Sequence, residues 1–319
     1  MLWLAIFLLF VAGCSASNGL VRIVGRNFVT FFHKPAPATP RRPASFRAGQ
    51  VAVTWIGHAT TLIQIEDRFV MTDPVFTDTV GAVSRRLVAP GLQPDDLPWV
   101  DAVLISHPHF DHLSIGSLEL LRSHAENLLV PYGTQALLPD QRYTVWVMPW
   151  GARYRDGELL ITSLPVKHVA GRYGLDASWR PRGFNGYLVQ HRGRIVFFAG
   201  DTALSAEMAR TVRALAGGRI DIALLPIAPQ NPRALMKRTH VDADEAFELW
   251  RLLDAEHLVA IHFDTFVNSD DAYGAAAARL AELAQQQAVP DRVHVLAHGE
   301  PFVLDTSPWR SASAPRPAP

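Results

Sequence analysis

The sequence predicts an α/β fold in which two layers of β-sheet form the core and helices lie outside them. Short β-rich runs dominate the first part of the folded region, and alternating strand and helix patterns dominate the second. Hydrophobic residues make up 49% of the chain, which is enough for a sizeable buried core. This order of segments suits packed sheet layers covered by helices.

Individual elements follow from periodicity and from the residues that bound each run. Successive strands are expected at 51–56, 61–66 and 68–73, and the continuous apolar run at 102–107 predicts a buried strand. The remaining strands are predicted at 159–166, 187–191, 194–200, 221–227, 257–262, 293–297 and 301–305, and the helices at 117–124, 205–216, 242–253 and 272–287.

One continuous domain is predicted at 48–306, because no proline-rich or strongly charged break divides this region. Before it, residues 14–47 are predicted to be a flexible proline-rich linker, with four prolines between residues 34 and 45. After it, residues 307–319 are predicted to be a disordered tail for the same compositional reason.

The N-terminus resembles a bacterial lipoprotein signal. Residues 1–13 form an apolar stretch of signal-peptide length, and the following Cys14 completes a sequence similar to a lipobox. Cys14 is the sole cysteine, so it cannot form an intramolecular disulfide. We therefore expect lipidation at Cys14 and a protein anchored to the membrane of the bacterial cell envelope, facing the periplasm or the exterior. No Lys or Arg precedes the apolar run, so an uncleaved anchor helix is the alternative.

The charge balance argues against nucleic acid as a partner. Lys plus Arg and Asp plus Glu are both 30, so the formal net charge is zero. Binding to phosphate backbones normally needs a basic surplus or a basic stripe. A small-molecule or lipid substrate is the expected partner, and the sequence carries no information on oligomeric state.

A dense run of potential metal ligands follows the predicted strand at 102–107. It contains His107, His109, Asp111 and His112. Imidazole and carboxylate groups suit Zn, Fe or Mn, but four such donors within six residues cannot all reach one ion at tetrahedral angles. Divided into pairs, they can serve two neighbouring ions.

Two metal ions need further ligands, and other strand ends supply candidates. His168, Asp201 and His262 each follow an apolar run at the point where the strand is predicted to stop. Taken singly, each is more often a capping or satisfied core residue. Their recurrence together with the dense run indicates a shared metal site.

The order HxHxDH, then His, Gly-Asp and His, is similar to the metallo-β-lactamase superfamily. More narrowly, the chain resembles the branch of N-acyl-phosphatidylethanolamine-hydrolysing phospholipase D and its bacterial lipoprotein relatives. The motifs that carry this second resemblance lie at 54–60, 72–74, 105–107, 198–202, 239–242 and 260–263.

The resemblance implies a four-layer αββα sandwich, in which two mixed β-sheets have helices outside and a dinuclear site lies at one sheet edge. It also implies seven ligands for two divalent ions, expected to be zinc, with iron or manganese as alternatives. These ligands are His107, His109 and His168 for one ion, Asp111, His112 and His262 for the other, and Asp201 as the bridge.

Three further residues take expected roles from the same resemblance. Asp73 would orient a ligand histidine by contacting the ring nitrogen of that histidine that does not bind metal. From the sequence, a purely structural role for Asp73 as a turn residue before Pro74 is an equal alternative. His240 would join Asp111 as a catalytic residue, because it could contact the phosphate or protonate a leaving group. The alternative is a structural role for His240 next to the N-terminus of the following helix. His58 would lie near the metals, or form a tight turn.

The leading functional hypothesis is a dinuclear metal hydrolase that cleaves phospholipid-like phosphodiesters with a metal-bridging hydroxide. A lactonase, or another hydrolase that attacks a carbonyl carbon, is the enzymatic alternative, because the same hydroxide can attack either centre. A non-catalytic, metal-stabilised envelope protein is the alternative outside the enzymes.

Overall fold

The computed structural model describes residues 15–38, 50–81, 84–139, 142–172 and 183–305. The predicted signal peptide at 1–13, the lipidation site Cys14 and the predicted tail at 307–319 lie outside these residues. So does the part of the predicted linker at 39–47.

Sixteen strands and six α-helices make up the described residues. The strands are β1 (Gln50–Gly57), β2 (Thr60–Ile65), β3 (Arg68–Thr72), β4 (Thr79–Val80), β5 (Ser84–Arg85), β6 (Ala102–Leu104), β7 (Asn127–Val130), β8 (Thr144–Val147), β9 (Arg153–Asp156), β10 (Leu159–Leu164), β11 (Gly186–His191), β12 (Arg194–Phe198), β13 (Ile222–Pro226), β14 (His257–Ile261), β15 (Val293–His294) and β16 (Pro301–Asp305). The helices are α1 (Ser15–Phe31), α2 (Ile115–Leu120), α3 (Ala206–Ala216), α4 (Arg233–Met236), α5 (Ala243–Leu253) and α6 (Ala275–Gln286).

Two seven-stranded sheets carry most of these strands. The first has the order β16-β1-β2-β3-β6-β7-β8, and the second has the order β15-β14-β13-β12-β11-β10-β9. Both sheets are mixed, with parallel pairing from β3 to β8 in the first and from β12 to β15 in the second. Strands β4 and β5 form a separate hairpin. The two mixed sheets confirm the predicted α/β class.

The sheets pack face to face, and helices cover their outer faces. Val53 of the first sheet and Phe197 of the second belong to one buried apolar cluster, which also includes Leu249 of α5. On the other face of the first sheet, Met71 packs in a second buried cluster with Leu118 of α2. Alternate residues of the first sheet therefore face two apolar layers, as a sheet buried on both sides requires.

The predicted flexible linker at 14–47 is wrong for its first part, because Ser15–Phe31 forms α1. The proline content of residues 34–45 does not extend into this segment, which contains no proline. The side chain of Asn27 donates a hydrogen bond to Val267 O (2.8 Å), so α1 is fastened to the domain. No helix in the described part of the chain is long and apolar enough to cross a membrane.

Strands β7, β8 and β9 were not expected from the sequence. The last two lie at sheet edges, and only Tyr154 is buried in β9, so neither shows a clear apolar alternation. The strand predicted at 102–107 ends at Leu104, and the chain leaves the sheet before the dense run of histidines begins.

Parallel strand order brings the candidate ligands to one edge of the molecule. Strands β3 and β6 of the first sheet, and β12 and β14 of the second, each end just before a candidate residue. Their carboxyl ends are where open α/β sheets collect ligand-binding groups.

A direct backbone contact supports the end of β1. Gly91 N donates to Ile56 O (2.9 Å), and Gly299 N donates to Trp55 O (2.6 Å). A Cβ atom on Gly91 would lie 1.9 Å from the backbone nitrogen of Gly299. Only glycine therefore allows these two segments to meet beneath the strand that leads to His58.

We expect Gly91→Ala to lower the free energy of unfolding by about 3 kcal/mol, because the added methyl must push two backbones apart. Gly25→Ala is the control, since a Cβ there meets nothing within 4 Å. It should change stability by about 1 kcal/mol at most. Equilibrium denaturation of both variants measures the difference, and equal stabilities would contradict the contact.

Candidate metal centre

The loop after β6 is held against the second sheet by close backbone packing. Asn185 N donates to Ser106 O (2.8 Å). Gly200 has φ +59°, and a Cβ on it would lie 2.5 Å from Ser106 Cβ. Glycine at this position therefore lets the loop that carries Asp201 approach the loop that carries the dense run.

The structure brings all seven predicted ligands to one place, six of them in two adjacent groups and the seventh, Asp201, between the groups. Within each group, one donor atom from every residue lies within 4.8 Å of the others. The first group is His107, His109 and His168, and the second is His58, Asp111, His112 and His262. These two groups have the same members as the two ligand sets expected from the sequence, except that the structure adds His58 to the second group.

Asp201 lies between the two groups. Its Oδ2 atom is 3.9 Å from His107 Nε2 and 3.8 Å from His168 Nε2, both in the first group. Its Oδ1 atom is 3.1 Å from His262 Nε2 in the second. Oδ2 is also 3.4 Å from His112 Nε2 of the second group, so the carboxylate lies close to both groups, as a shared ligand must.

Unpartnered atoms at the centre show that this donor set fits metal ions. Within the described residues, Nε2 of His112, His168 and His262 and Oδ1 of Asp201 are buried and make no hydrogen bond of acceptable geometry, although Asp201 Oδ1 lies 3.1 Å from His262 Nε2. Leaving such atoms unpaired costs about 1–3 kcal/mol each. Coordination of a cation by these lone pairs would offset that cost, and histidine nitrogen with carboxylate oxygen is a donor set typical of zinc.

The other ring nitrogen of each of these histidines is occupied. His112 Nδ1 lies 2.7 Å from Asp73 Oδ2, His168 Nδ1 lies 2.9 Å from Thr239 O, and His262 Nδ1 lies 3.0 Å from Ala228 O. Donation from Nδ1 to these oxygens leaves the Nε2 lone pair aimed at the centre. Metal-binding histidines are commonly oriented in this way.

The electrostatics of the site favour positive charge. Burial raises the pKa of Asp201 and Asp111, but the surrounding histidines outweigh it and hold both pKa values well below the ordinary value. Burial lowers the pKa of His112, but the carboxylates around it raise that pKa well above the ordinary value. Burial lowers the pKa of His168 to about 3, so its ring is neutral at neutral pH. Ionised carboxylates and neutral imidazoles are the forms that bind metal, so a bound cation would displace the extra proton of His112.

His58 lies beside the second group, in a left-handed backbone conformation with φ 55°. Its Nε2 atom is 3.0 Å from Asp111 Oδ2, and its backbone N donates to Thr265 Oγ1 (2.7 Å). His262 N donates to His58 O (2.9 Å), which links the two sheets. The two sequence-based alternatives for His58 are therefore both correct, since the residue forms a tight turn and also lies next to the candidate ligands.

Asp73 is fully buried and accepts three hydrogen bonds. Its Oδ1 accepts from Ser106 N (2.6 Å), and its Oδ2 accepts from Ser106 Oγ (2.5 Å) and faces His112 Nδ1 (2.7 Å). Asp73 thus lies where it can orient His112, and it also precedes Pro74 in a turn with φ 32°.

His240 lies after α4, at the partly open side of the centre. Its Nε2 atom is 3.0 Å from Asp201 Oδ2, and its Nδ1 atom is 2.9 Å from Thr239 Oγ1. The side chain is 16% exposed, whereas that of Asp201 is 2% exposed, so His240 is the member of this pair that solvent can reach.

Sequence reasoning assigned no role to three residues that hold the site in place. Ser106 connects Asp73 to His107 Nδ1, which is 2.9 Å from its hydroxyl. Thr265 holds the backbone of His58. Arg172 donates to Pro108 O (2.9 Å) and Leu113 O (2.8 Å), on either side of the dense run. Of these three, Ser106 lies within the motif at 105–107 that carried the family resemblance in the sequence.

Comparison with known families agrees with this geometry. The Beta-lactamase superfamily domain matches residues 68–263. The chain belongs to this superfamily. The matched span includes every residue of the two groups except His58, which precedes it.

Individual relatives cover most of the domain. The chain is 31% identical over 230 residues to N-acyl-phosphatidylethanolamine-hydrolyzing phospholipase D 1 of Caenorhabditis elegans, covering 67% of this chain and 64% of that protein. It therefore spans slightly less than two thirds of that relative's length. A metal-dependent hydrolase of Heliobacterium modesticaldum is 26% identical over 257 residues, covering 79% of this chain and 97% of that protein.

A solved structure supports the fold. The metallo-β-lactamase fold protein YhfI of Bacillus subtilis superimposes with a TM-score of 0.55 at 15% identity, covering 80% of this chain and 99% of that one. The predicted metallo-β-lactamase fold is thereby confirmed. The family, the fold and the histidine–aspartate clusters together support a metal-dependent hydrolase.

We expect Asp73→Asn to weaken zinc binding by about 10–100-fold, because an amide no longer supplies the anionic acceptor that orients His112. Asp221→Asn is a matched control, because Asp221 is also buried and accepts a hydrogen bond from a backbone nitrogen, Ile195 N (2.7 Å). Asp221 precedes β13, so it lies at the edge of the second sheet that is opposite the metal centre. Competition with a chromophoric chelator measures both affinities. Equal losses in the two variants would contradict an orienting role for Asp73.

Proposed function

We propose that this protein is a phosphodiesterase that uses two divalent metal ions to cleave phospholipid-like phosphodiesters. The observation that carries the proposal is the pair of histidine-rich groups on either side of Asp201. The similarity to a phospholipase D over 230 residues supports a phosphodiester as the substrate.

In this proposal, His107, His109 and His168 hold one ion, Asp111, His112 and His262 hold the other, and Asp201 is shared. The nitrogen and oxygen donors favour zinc, with iron and manganese as alternatives. Such ions, when bound, offer Lewis acidity and make hydroxide available near neutral pH. The role of His58 is to hold Asp111 in place, because its ring nitrogen contacts the carboxylate.

The surroundings of His240 support an anionic substrate. Lys237 and Arg238 lie just before it in the chain and are exposed, so they place positive charge next to His240 in the sequence, although Lys237 Nζ also lies 3.9 Å from Glu245 Oε1. We propose that His240 donates a proton from Nε2 to the departing alkoxide. Its hydrogen bond to Thr239 Oγ1 fixes the orientation of the ring.

A lipid substrate also agrees with the proposed anchor. Lipidation of Cys14 would keep the domain at the envelope membrane, where phospholipid is concentrated. Incorporation of labelled fatty acid into the wild type, and its loss in Cys14→Ser, is the measurement for this part of the proposal. An unlabelled wild type would contradict it.

We expect the zinc-loaded protein to hydrolyse bis(p-nitrophenyl) phosphate and phospholipid vesicles, and His262→Gln to lose at least about 100-fold in turnover. His257→Gln is the matched control, because His257 begins β14 and His262 follows its end. Metal analysis should give two ions in the control and a lower content in His262→Gln. A protein with two ions that cleaves a lactone but no phosphodiester would refute the proposed substrate class.

We expect His240→Gln to distinguish substrates by their leaving groups. Turnover of a phospholipid, whose alkoxide needs a proton, should fall by about 10²-fold or more, while a p-nitrophenyl ester should change only slightly. Metal content should stay at the wild-type level. Equal losses with both substrates would show that His240 does not act as a proton donor.

A further inference from the structure

Helix α1 is amphipathic, but its polar side faces the protein. Arg26 Nη1 donates to Ser269 O (3.2 Å) and Asp271 O (2.6 Å), and Asn27 Nδ2 donates to Val267 O (2.8 Å). Gly19 is also on this side, packed against Pro232. The polar side chains of the helix therefore hold it on the domain by donating hydrogen bonds to backbone carbonyls of the domain.

The opposite side of α1 is apolar and exposed. Phe28 and Phe32 are 69% and 70% exposed, and their rings contact each other with centroids 5.3 Å apart. We call this side the outer face of α1. Its residues are Val21, Val24, Phe28, Val29 and Phe31, together with Phe32, which directly follows the helix. An ordinary surface helix buries its apolar side, so this arrangement is the reverse of the expected one.

The preceding chain indicates what covers the outer face. Residues 1–13 are an apolar run, and the first charged residue of the chain is Arg22, inside α1. Helix α1 begins at Ser15, so one residue separates it from that run. If residues 1–13 or a lipid on Cys14 enter a bilayer, α1 must lie at the bilayer surface, because no linker separates the helix from the inserted segment.

The helix also lies at the same edge of the molecule as the metal centre. Val267, Ser269 and Asp271, which accept its hydrogen bonds, belong to the segment that follows His262. Pro232 lies between β13 and α4, the helix that precedes His240. Leu235 of α4 is exposed as well.

We propose that the outer face of α1 docks into the headgroup and acyl-chain boundary of a phospholipid bilayer and turns the metal centre toward the membrane. This deepens the proposed function, because its benefit rests on a phospholipid substrate. An interfacial helix with a large apolar face enters a bilayer by about 5–10 Å without crossing it. That depth suits a helix held on a folded domain.

The sole cysteine makes a direct test possible. In the full chain with Cys14→Ser, Phe28→Cys is labelled with an environment-sensitive dye, and Leu120→Cys, on the exposed side of α2, is the control. With vesicles of phosphatidylethanolamine and phosphatidylglycerol, the dye at position 28 should shift to the blue and be quenched by brominated lipid. The dye at position 120 should not change. This measurement requires no turnover, so it stands apart from any failure of the proposed phosphodiesterase.

Two outcomes would overturn the docking proposal. Protein that co-sediments with vesicles while the dye at position 28 is unchanged would mean that residues 1–14 alone hold the membrane. A blue shift that rises with protein concentration in the absence of vesicles would mean that a second copy covers the face.

Activity provides a second arm. Phe28→Ser with Phe32→Ser should lower turnover of vesicle phospholipid by about tenfold and leave bis(p-nitrophenyl) phosphate hydrolysis unchanged. Trp99→Ser with Leu120→Ser removes comparable exposed apolar surface elsewhere and should affect neither substrate. Loss on the vesicle substrate in the control pair as well would count against a specific docking face.

Discussion

Hydrogen bonds at Nδ1 of the buried histidines are the interaction on which the centre depends. A neutral imidazole donates from one nitrogen and accepts at the other, so an oxygen at Nδ1 determines that the lone pair is on Nε2. Asp73, Thr239 O and Ala228 O supply these oxygens for His112, His168 and His262. Each oxygen belongs to a different segment, so the orientation of the donors is a property of the folded domain rather than of the HxHxDH run.

The convergence of those segments follows from sheet topology. Strands of the two packed sheets end at one edge, where the loop after β6 delivers four donors and the segments after β10, β12 and β14 deliver one each. Close backbone contacts then bring the loops together, as at Gly200 against Ser106 and at His262 N against His58 O. The cost of burying two carboxylates is offset because the neighbouring histidines lower their pKa values. Folding and cation binding are therefore thermodynamically linked in this domain.

Much of this centre could be predicted from the sequence because its donors stand at the ends of recognisable apolar strands. His168, Asp201 and His262 are separated by dozens of residues, yet each follows such a run. The supporting contacts of Arg172 could not be predicted, because its partners are backbone carbonyls that any residue could supply. Helix α1 was missed because the linker prediction extended the proline-rich composition of residues 34–45 over a preceding segment that contains no proline.

The pairing of β1 with β16 has a consequence for biosynthesis. Gln50 pairs with Asp305, and Thr54 pairs with Pro301, across some of the largest sequence separations in the domain. While the ribosome is still adding residues before 301, β1 has an open edge and the turn at His58 lacks the support of Gly299. Contacts this distant in sequence form late. The second group of donors is thus completed only after nearly the whole domain has emerged, so a nascent chain cannot assemble the centre on its N-terminal half alone.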